Sequence, residues 1–214
     1  MRKLIIWGAG GHGKVVLDVA RATGRFAEIV FVDDACVSLG QSFCGCELLP
    51  SSGGFAPLKT RGHSDFIVAI GDNRLRYRRF QEGIEQGLPA ATLIDPSAVV
   101  SGSAHLGSGT LVMPRVVVNA DAVVGNNCIL NTGVIVEHDC HIGDHVHLAP
   151  GVTLGGNVTV EQNALLGIGT IVLPGGTIGE AAIVGAGSVV LDSAPPRATS
   201  VGVPAKVLSR ADNR

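Results

Sequence analysis

The chain carries no excess of charge of either sign. Sixteen Lys and Arg stand against eighteen Asp and Glu in 214 residues, a formal net charge of −2. With no long basic run, an electrostatic footprint for nucleic acid or for an anionic membrane surface is excluded, and small molecules or proteins are the expected partners. Cysteine is sparse and odd in number: Cys36, Cys44, Cys46, Cys128 and Cys140 match no paired CxxC spacing. That argues against a secreted disulfide framework and for a reducing cytoplasm. No uninterrupted apolar stretch approaches the length of a membrane span. The opening MRKLIIW has only four apolar residues and no small-residue cleavage site after them, so no signal segment is expected. Aromatic residues make up 4% of the chain, too few for an ordinary mixed core.

What the chain has in quantity is glycine, 30 residues, beside abundant valine. This composition favours a repetitive β architecture. From Ile94 every sixth residue is Ile, Leu or Val, through Val100, Leu106 and Val112 to Val184 and Val190, seventeen in succession without an insertion. If such residues fill roughly a third of positions, chance yields this run about once in a hundred million trials, which decides for a repeat fold. The residue two places earlier is small or compact throughout, from Ala98 and Ala104 through Cys128 and Cys140 to Ser188. Both columns are expected to point inward. A short strand and a turn every six residues bend the chain by a third of a revolution, so three rungs close one triangular coil. At about 4.8 Å per coil the prism is on the order of 27 Å long. Glycines such as Gly107, Gly125, Gly143, Gly155, Gly167, Gly179 and Gly185 follow the inward residue, where a permissive backbone is expected to turn the corner.

Four of the seven histidines fall within VEHDCHIGDHVHLAPG, Val136 to Gly151. The period sends His138, His141, His145 and His147 outward, with His141 and His147 on different faces. A metal needs ligands that converge. One chain cannot gather these four about one ion, so any shared site has to be assembled between chains. Cys140 points inward, as core and not as an acyl-accepting nucleophile.

The first ninety residues follow another pattern. KLIIWGAGGHGKVVLDVA reads as a strand, the loop Gly8-Ala9-Gly10-Gly11-His12-Gly13, and an amphipathic helix with Val15, Val16, Val19 and Ala20 on one side. A second strand, IVFV, ends in Asp33-Asp34. A third, DFIVAI, ends in Gly71-Asp72-Asn73 before a helix through Leu75, Phe80 and Ile84. Strand ends of this kind bind ligands in open parallel sheets. Asp33 stands about twenty residues beyond the last glycine, as a ribose-binding acid should. The segment supplies only one half of a dinucleotide fold, so a mononucleotide-type ligand is expected, a bare strand-to-helix turn being the alternative. Arg74, Arg76, Arg78 and Arg79 are expected on a solvated helix face.

The GxGGHG opening, IGDNRLR, a prism carrying NTGVIVEHDCHIG and the closing VGVPAK together resemble the bacterial sugar O-/N-acyltransferase family, over nearly the full length. The resemblance implies an α/β Rossmann-like βαβαβ domain over residues 1–90, an all-β left-handed parallel β-helix over 91–194, and a tail, 195–214, at the coenzyme A site. The handedness comes from the family, since right-handed crossovers are the general rule. It implies a homotrimer, acetyl-CoA as co-substrate between neighbouring prisms, no metal, and a sugar nucleotide held by the first domain.

Carried over by position, the resemblance makes His138 the general base, Asp139 its acidic partner and His147 a contact of the thioester. An imidazole with pKa near 6.5 can take the proton that a sugar amine loses on attack, and a carboxylate can fix its tautomer. The pair Gly155-Gly156 is expected to offer a backbone N–H to the oxyanion, Gly156 being the matching position. Ile168 and Ala186 match the pantetheine slot, and Pro204 and Lys206 the coenzyme's nucleotide end. Gly10, His12 and Gly13 match a phosphate loop at a helix N-terminus. Asp33, Asp34, Gly71, Asp72 and Asn73 match loops near the base and ribose.

The function implied is acetyl transfer to the amino group, at C4, of a nucleotide-linked amino sugar for surface polysaccharide or glycan synthesis. UDP and GDP both stay open. O-acetylation of the sialic acid type is the alternative. A zinc enzyme like the γ-class carbonic anhydrases is a further rival, because His105 and His141 stand two coils apart in one column; Val146 stands where its third ligand would be. A nucleotide-sensing scaffold that uses the prism only to trimerise is the non-catalytic rival.

Overall fold

A computed structural model of the chain describes residues 2–36 and 40–210, in two units, Met1–Pro96 and Ser97–Arg214. In the first unit β1 (Arg2–Trp7) is central, with Leu4, Ile5, Ile6 and Trp7 all buried. A strand covered on both faces reads as a continuous apolar run for this reason. β1 pairs in parallel with β2 (Phe26–Asp33) and with β5 (Asp65–Val68). Helix α1 (Gly11–Ala22) connects β1 to β2 and buries Gly13, Val16, Leu17, Val19 and Ala20. The helix α3 (Asn73–Glu85) follows β5, and Asp72 caps it by accepting the Leu75 N–H at 2.7 Å.

The sheet extends beyond the expected three strands. A hairpin of β3 (Gln41–Phe43) and β4 (Cys46–Pro50) gives the order β3-β4-β2-β1-β5, and the short helix α2 (Ala56–Thr60) follows. The hairpin turns through Cys44 and Gly45, both at positive φ. Cysteine is not a residue that announces such a turn, so the sequence carried no usual hairpin signal there. The core gathers Ile5, Trp7, Val30, Val32, Phe55, Phe66 and Phe80, with Trp7 and Phe55 edge to face at 5.1 Å.

The second unit is a left-handed parallel β-helix of two-residue strands. Val99, Val117 and Ile135 pair in register, as do His105, Val123 and His141, and Leu111, Ile129 and His147. Each coil therefore takes eighteen residues and places one strand on each of three faces. The first face runs from Val99–Val100 to Val189–Val190, the second from His105–Leu106 to Ser193–Ala194. Within the second unit the third runs from Leu111–Val112 to Ala198–Val201 and ends on an antiparallel strand, Lys206–Arg210. Residues 211–214 of the expected tail lie outside the described residues.

The inward columns follow the period from Thr110 and Val112 onward, whereas Ile94, expected inward, is 38% exposed and Ala98 and Ala104 are half-buried. Val112 through Val190 are buried, and so are Thr110, Val116, Ala122, Cys128, Val134, Cys140 and Val146. Each fully buried aliphatic contributes roughly 1.5–3 kcal/mol relative to exposure. Val100 and Leu106 are only half-buried, because their strands end their sheets and have a stacking neighbour on one side alone.

The corner glycines are needed for a different reason from the expected one. The left-handed backbone lies two residues later in each hexad, at Gly109, Arg115, Asp121, Asn127, Gly133, Asp139, His145 and onward to Gly187. Gly107, Gly143 and Gly155 instead lie against the next coil, where a Cβ on Gly143 would stand 2.7 Å from the Gln162 nitrogen. No helix among the described residues is long and apolar enough to cross a membrane.

These two kinds of glycine separate by mutation. Gly143→Ala should destabilise the fold by about 1–3 kcal/mol, as overpacking does. Gly133→Asn, at φ +69 in open space, should change stability by less than about 0.5 kcal/mol. Urea unfolding of both variants measures the contrast, and equal losses would contradict it.

Candidate active site

The βα loops of the first unit enclose a cleft of about 480 Å³. Gly10, His12, Asp33, Asp34 and Gly71 line it, joined by Trp7, Gly8, Ala35, Ile70 and Leu75, which the sequence reading did not single out. Gly13, Asp72 and Asn73 are not among the lining residues. Gly13 permits close packing, since a Cβ there would lie 2.3 Å from the Gly8 carbonyl oxygen. Asp33 braces two loops, its carboxylate accepting the Ala9 N–H at 2.6 Å and the Ala35 N–H at 2.8 Å.

Asp34 pairs with Arg79. Burial alone would raise the Asp34 carboxyl, but hydrogen bonds from Ser51 and Arg79 outweigh it and hold it below its ordinary value. Burial, with the charge of Arg76 behind it, lowers His12 to about 4, so its imidazole is neutral at physiological pH.

The arginines of α3 are not all solvated. Arg74 and Arg78 are exposed, whereas Arg76 is 1% exposed and Arg79 lies 5.2 Å from the Trp7 ring. The buried helix face is Arg76, Phe80 and Gly83, while Leu75 is half-buried and Ile84 is exposed.

On the prism, His138 occupies the corner between the first and second faces. Its Nδ1–H donates to Asp139 Oδ2 at 2.7 Å. A carboxylate can only accept, which fixes the tautomer and leaves the lone pair on Nε2. Asp139 sits at φ 60, in the left-handed region that Asp tolerates. The ring lies over Gly156, where a Cβ would come within 2.6 Å of Cε1 and 2.7 Å of Nε2. The Asp139 hydrogen bond raises the His138 pKa above its usual value, with smaller help from the charges of Asp139 and Glu137. The Gly155 N–H is committed to Val172 O at 2.9 Å, so it is not available to an oxyanion; the coil ladder does not use the Gly156 N–H.

The other expected residues divide between corners and faces. His147 is on the third face, half-buried, accepting from Asn131 Nδ2 at 3.4 Å. Ile168 and Ala186 stack one coil apart at the corner between the third and first faces, Ile168 being 62% exposed. Pro204 and Lys206 are exposed in the terminal hairpin. A single prism thus keeps His138 on one corner and His147 on the face opposite. His141 is exposed, but His145 is 6% exposed, accepting from Asn127 Nδ2 at 2.9 Å. The expectation that all four histidines point outward fails at His145, which takes the left-handed corner position.

Cys140 is buried, and burial raises its thiol above the ordinary value, which keeps it protonated. His105 and His141 share a column through Val123, and Val146 is fully buried. Among the described residues no group of three or more His, Cys, Asp and Glu is placed to hold a metal ion.

The PglD N-terminal domain family matches residues 3–82, and the bacterial transferase hexapeptide family, six repeats, matches residues 121–156. A mutant of perosamine N-acetyltransferase from Caulobacter crescentus, in complex with CoA and GDP-perosamine, is 39% identical over 97% of this chain and 97% of that one, with a TM-score of 0.91. The chain belongs to the bacterial sugar acyltransferase family. Within it, the acetyltransferase domain of PglB from Neisseria gonorrhoeae, in complex with acetyl coenzyme A, is 38% identical over 97% and 99% of the two chains, at a TM-score of 0.90. WeeI from Acinetobacter baumannii is 28% identical over 97% and 100%, at 0.89. These family members share both units with this chain, not the prism alone.

The His138–Asp139 contact sets a sign for pH dependence. A raised pKa means that the free base is lost as pH falls through a value above the ordinary histidine range. Asp139→Asn should therefore move the acidic limb of kcat/KM to lower pH while lowering the plateau, by about 10-fold or more. A limb that stays in place would show that His138 is not the titrating base.

Proposed function

We propose that this acyltransferase moves the acetyl group of acetyl-CoA to the C4 amino group of a nucleotide-linked amino sugar, with His138 as general base. The observation that carries the reading is the dyad: an imidazole held by Asp139 through Nδ1, with its Nε2 lone pair open over Gly156. The amine nitrogen attacks the thioester carbonyl carbon and Nε2 takes its proton. The Gly156 N–H donates to the oxyanion as the tetrahedral intermediate forms. Collapse breaks the carbon–sulfur bond, and the imidazolium returns the proton to the departing thiolate. The buried, protonated Cys140 favours this direct transfer over an acyl-enzyme.

The substrates are supported by relatives whose solved complexes hold CoA with GDP-perosamine, or acetyl coenzyme A. The cleft of the first unit takes the nucleotide, with Gly10, His12, Asp33, Asp34 and Gly71 at its walls. Gly13 supports those walls by packing and Asp72 by capping α3, whose first residue is Asn73. On the coenzyme side the reading uses His147, Ile168, Ala186, Pro204 and Lys206.

A homotrimer completes the site in this reading. The first face lies between the corner of His138 and the corner of Ile168, and its outward column is largely apolar, with Val99 64% and Ile171 42% exposed. Covering that face with a second copy brings the two kinds of corner into one groove. Five free cysteines support placing the enzyme in the reducing cytoplasm.

Screening UDP- and GDP-linked 4-amino-6-deoxy sugars with acetyl-CoA, following free thiol, tests the acceptor. Turnover only on hydroxyl acceptors would overturn N-acetylation. In a trimer with shared sites, His138→Ala and His147→Ala should each be nearly inactive, yet mixed one to one after dissociation and reassembly they should recover about a quarter of wild-type activity. No recovery in verified mixed trimers would place both residues in one chain's site.

A further inference from the structure

Arg76 is the one arginine of α3 that is wholly inside, 1% exposed, and it reaches the loop that borders the cleft. Its Nη1 donates to the carbonyl oxygens of Ile70 and Gly71, each at 3.3 Å, and both of those residues line the cleft. A guanidinium keeps its charge at any physiological pH, and burying that charge costs several kcal/mol unless something offsets it. His12, in the first turn of α1, also lines the cleft, its Nε2 buried and without a hydrogen-bond partner.

From this arrangement we propose that Arg76 is the positioning residue of the nucleotide cleft: its guanidinium holds the Ile70–Gly71 turn and sets a fixed positive charge behind the glycine loop, suited to a diphosphate. The inference rests on reading the cleft as the sugar-nucleotide site. Arg76 also acts on His12. Burial first, and then the Arg76 charge, keep that imidazole neutral, so the positive potential in the cleft comes from a group that does not titrate. The other charges facing His12 in the cleft are Asp33 and Asp34, with Arg79 beyond Asp34. Affinity for an anionic ligand should then be independent of pH through the neutral range.

Calorimetric titration with GDP-mannose and with UDP-N-acetylglucosamine, whose diphosphate diesters do not titrate here, provides the test from about pH 5.5 to about pH 8. The wild type should bind one of them with a flat profile. Arg76→Met should bind at least about 10-fold more weakly at the upper pH and recover in part as pH falls. The sign follows from His12, which gains a proton more readily without the arginine and then supplies the missing charge. Arg76→Lys should keep the flat profile. Wild-type affinity with a flat profile in a folded Arg76→Met protein would overturn the proposal, as would a pH-independent loss in both variants. Should Arg76→Met fail to fold, an NMR titration of His12 in the wild type and Arg76→Lys decides instead: a midpoint in the ordinary histidine range in the wild type overturns it. Failure of either sugar nucleotide to bind the wild type would instead overturn the reading of the cleft itself.

Discussion

From Gly109 to Gly187 the prism backbone enters the left-handed region once in every six residues, and much of the second unit's geometry depends on that constraint. At these corners it turns each two-residue strand onto the next face, so that the inward columns close over one another. Glycine meets the demand at Gly109, Gly133 and Gly151, but Asn, Asp and His meet it at Asn127, Asp139, His145, Asn157 and Asn163. These are the side chains that best tolerate positive φ. The corner that closes the coil at position 139 also carries the carboxylate that meets His138 Nδ1. One backbone feature therefore serves folding and the orientation of the His138 ring together. Coil stacking adds the second part of the geometry, because position 156 lies one coil beyond position 138, and only a residue without Cβ leaves room for the ring.

The same constraint explains what was legible in the sequence. A strict period fixed which residues face inward, and the buried columns follow it because one slip would turn an entire face out to water. The period does not say which of the four turn positions bears the left-handed residue. Gly107 and its equivalents were therefore given a conformational reason when the real one is the next coil's backbone. Nor does the period show that the corner between the second and third faces buries His145 against Asn127, whereas the equivalent Asp139 at the neighbouring corner is exposed. His138 was placed correctly, since its hexad position alone puts it on an exposed corner.

In the first unit the strands and the glycine loop could be read from apolar runs and turn chemistry, whereas the β3–β4 hairpin and Arg76 could not. A helix with arginines at 74, 76, 78 and 79 invites a solvated reading, because burying a guanidinium is expensive. The spacing of Arg76, Phe80 and Gly83 is nevertheless the helical one, and Gly83 marks the close approach, its α-carbon lying against the Phe66 ring. A glycine inside an otherwise polar helix was the available signal for which face goes in, and it places Arg76 on that face. The Arg76 guanidinium at that position meets the Ile70 and Gly71 carbonyl oxygens, which offsets part of the cost of burying its charge.

Association has a further physical effect on the proposed base. In a single prism the His138 ring is 62% exposed, and its pKa is raised because Asp139 stabilises the imidazolium. A base raised too far would be protonated at neutral pH and unable to accept a proton from the amine. Covering the corner with a neighbouring prism removes water, and desolvation disfavours the charged form. The carboxylate and the groove thus act in opposite directions on the same imidazole. In the proposed trimer, desolvation of this corner would therefore offset part of the rise that Asp139 causes, in the direction that favours a neutral general base.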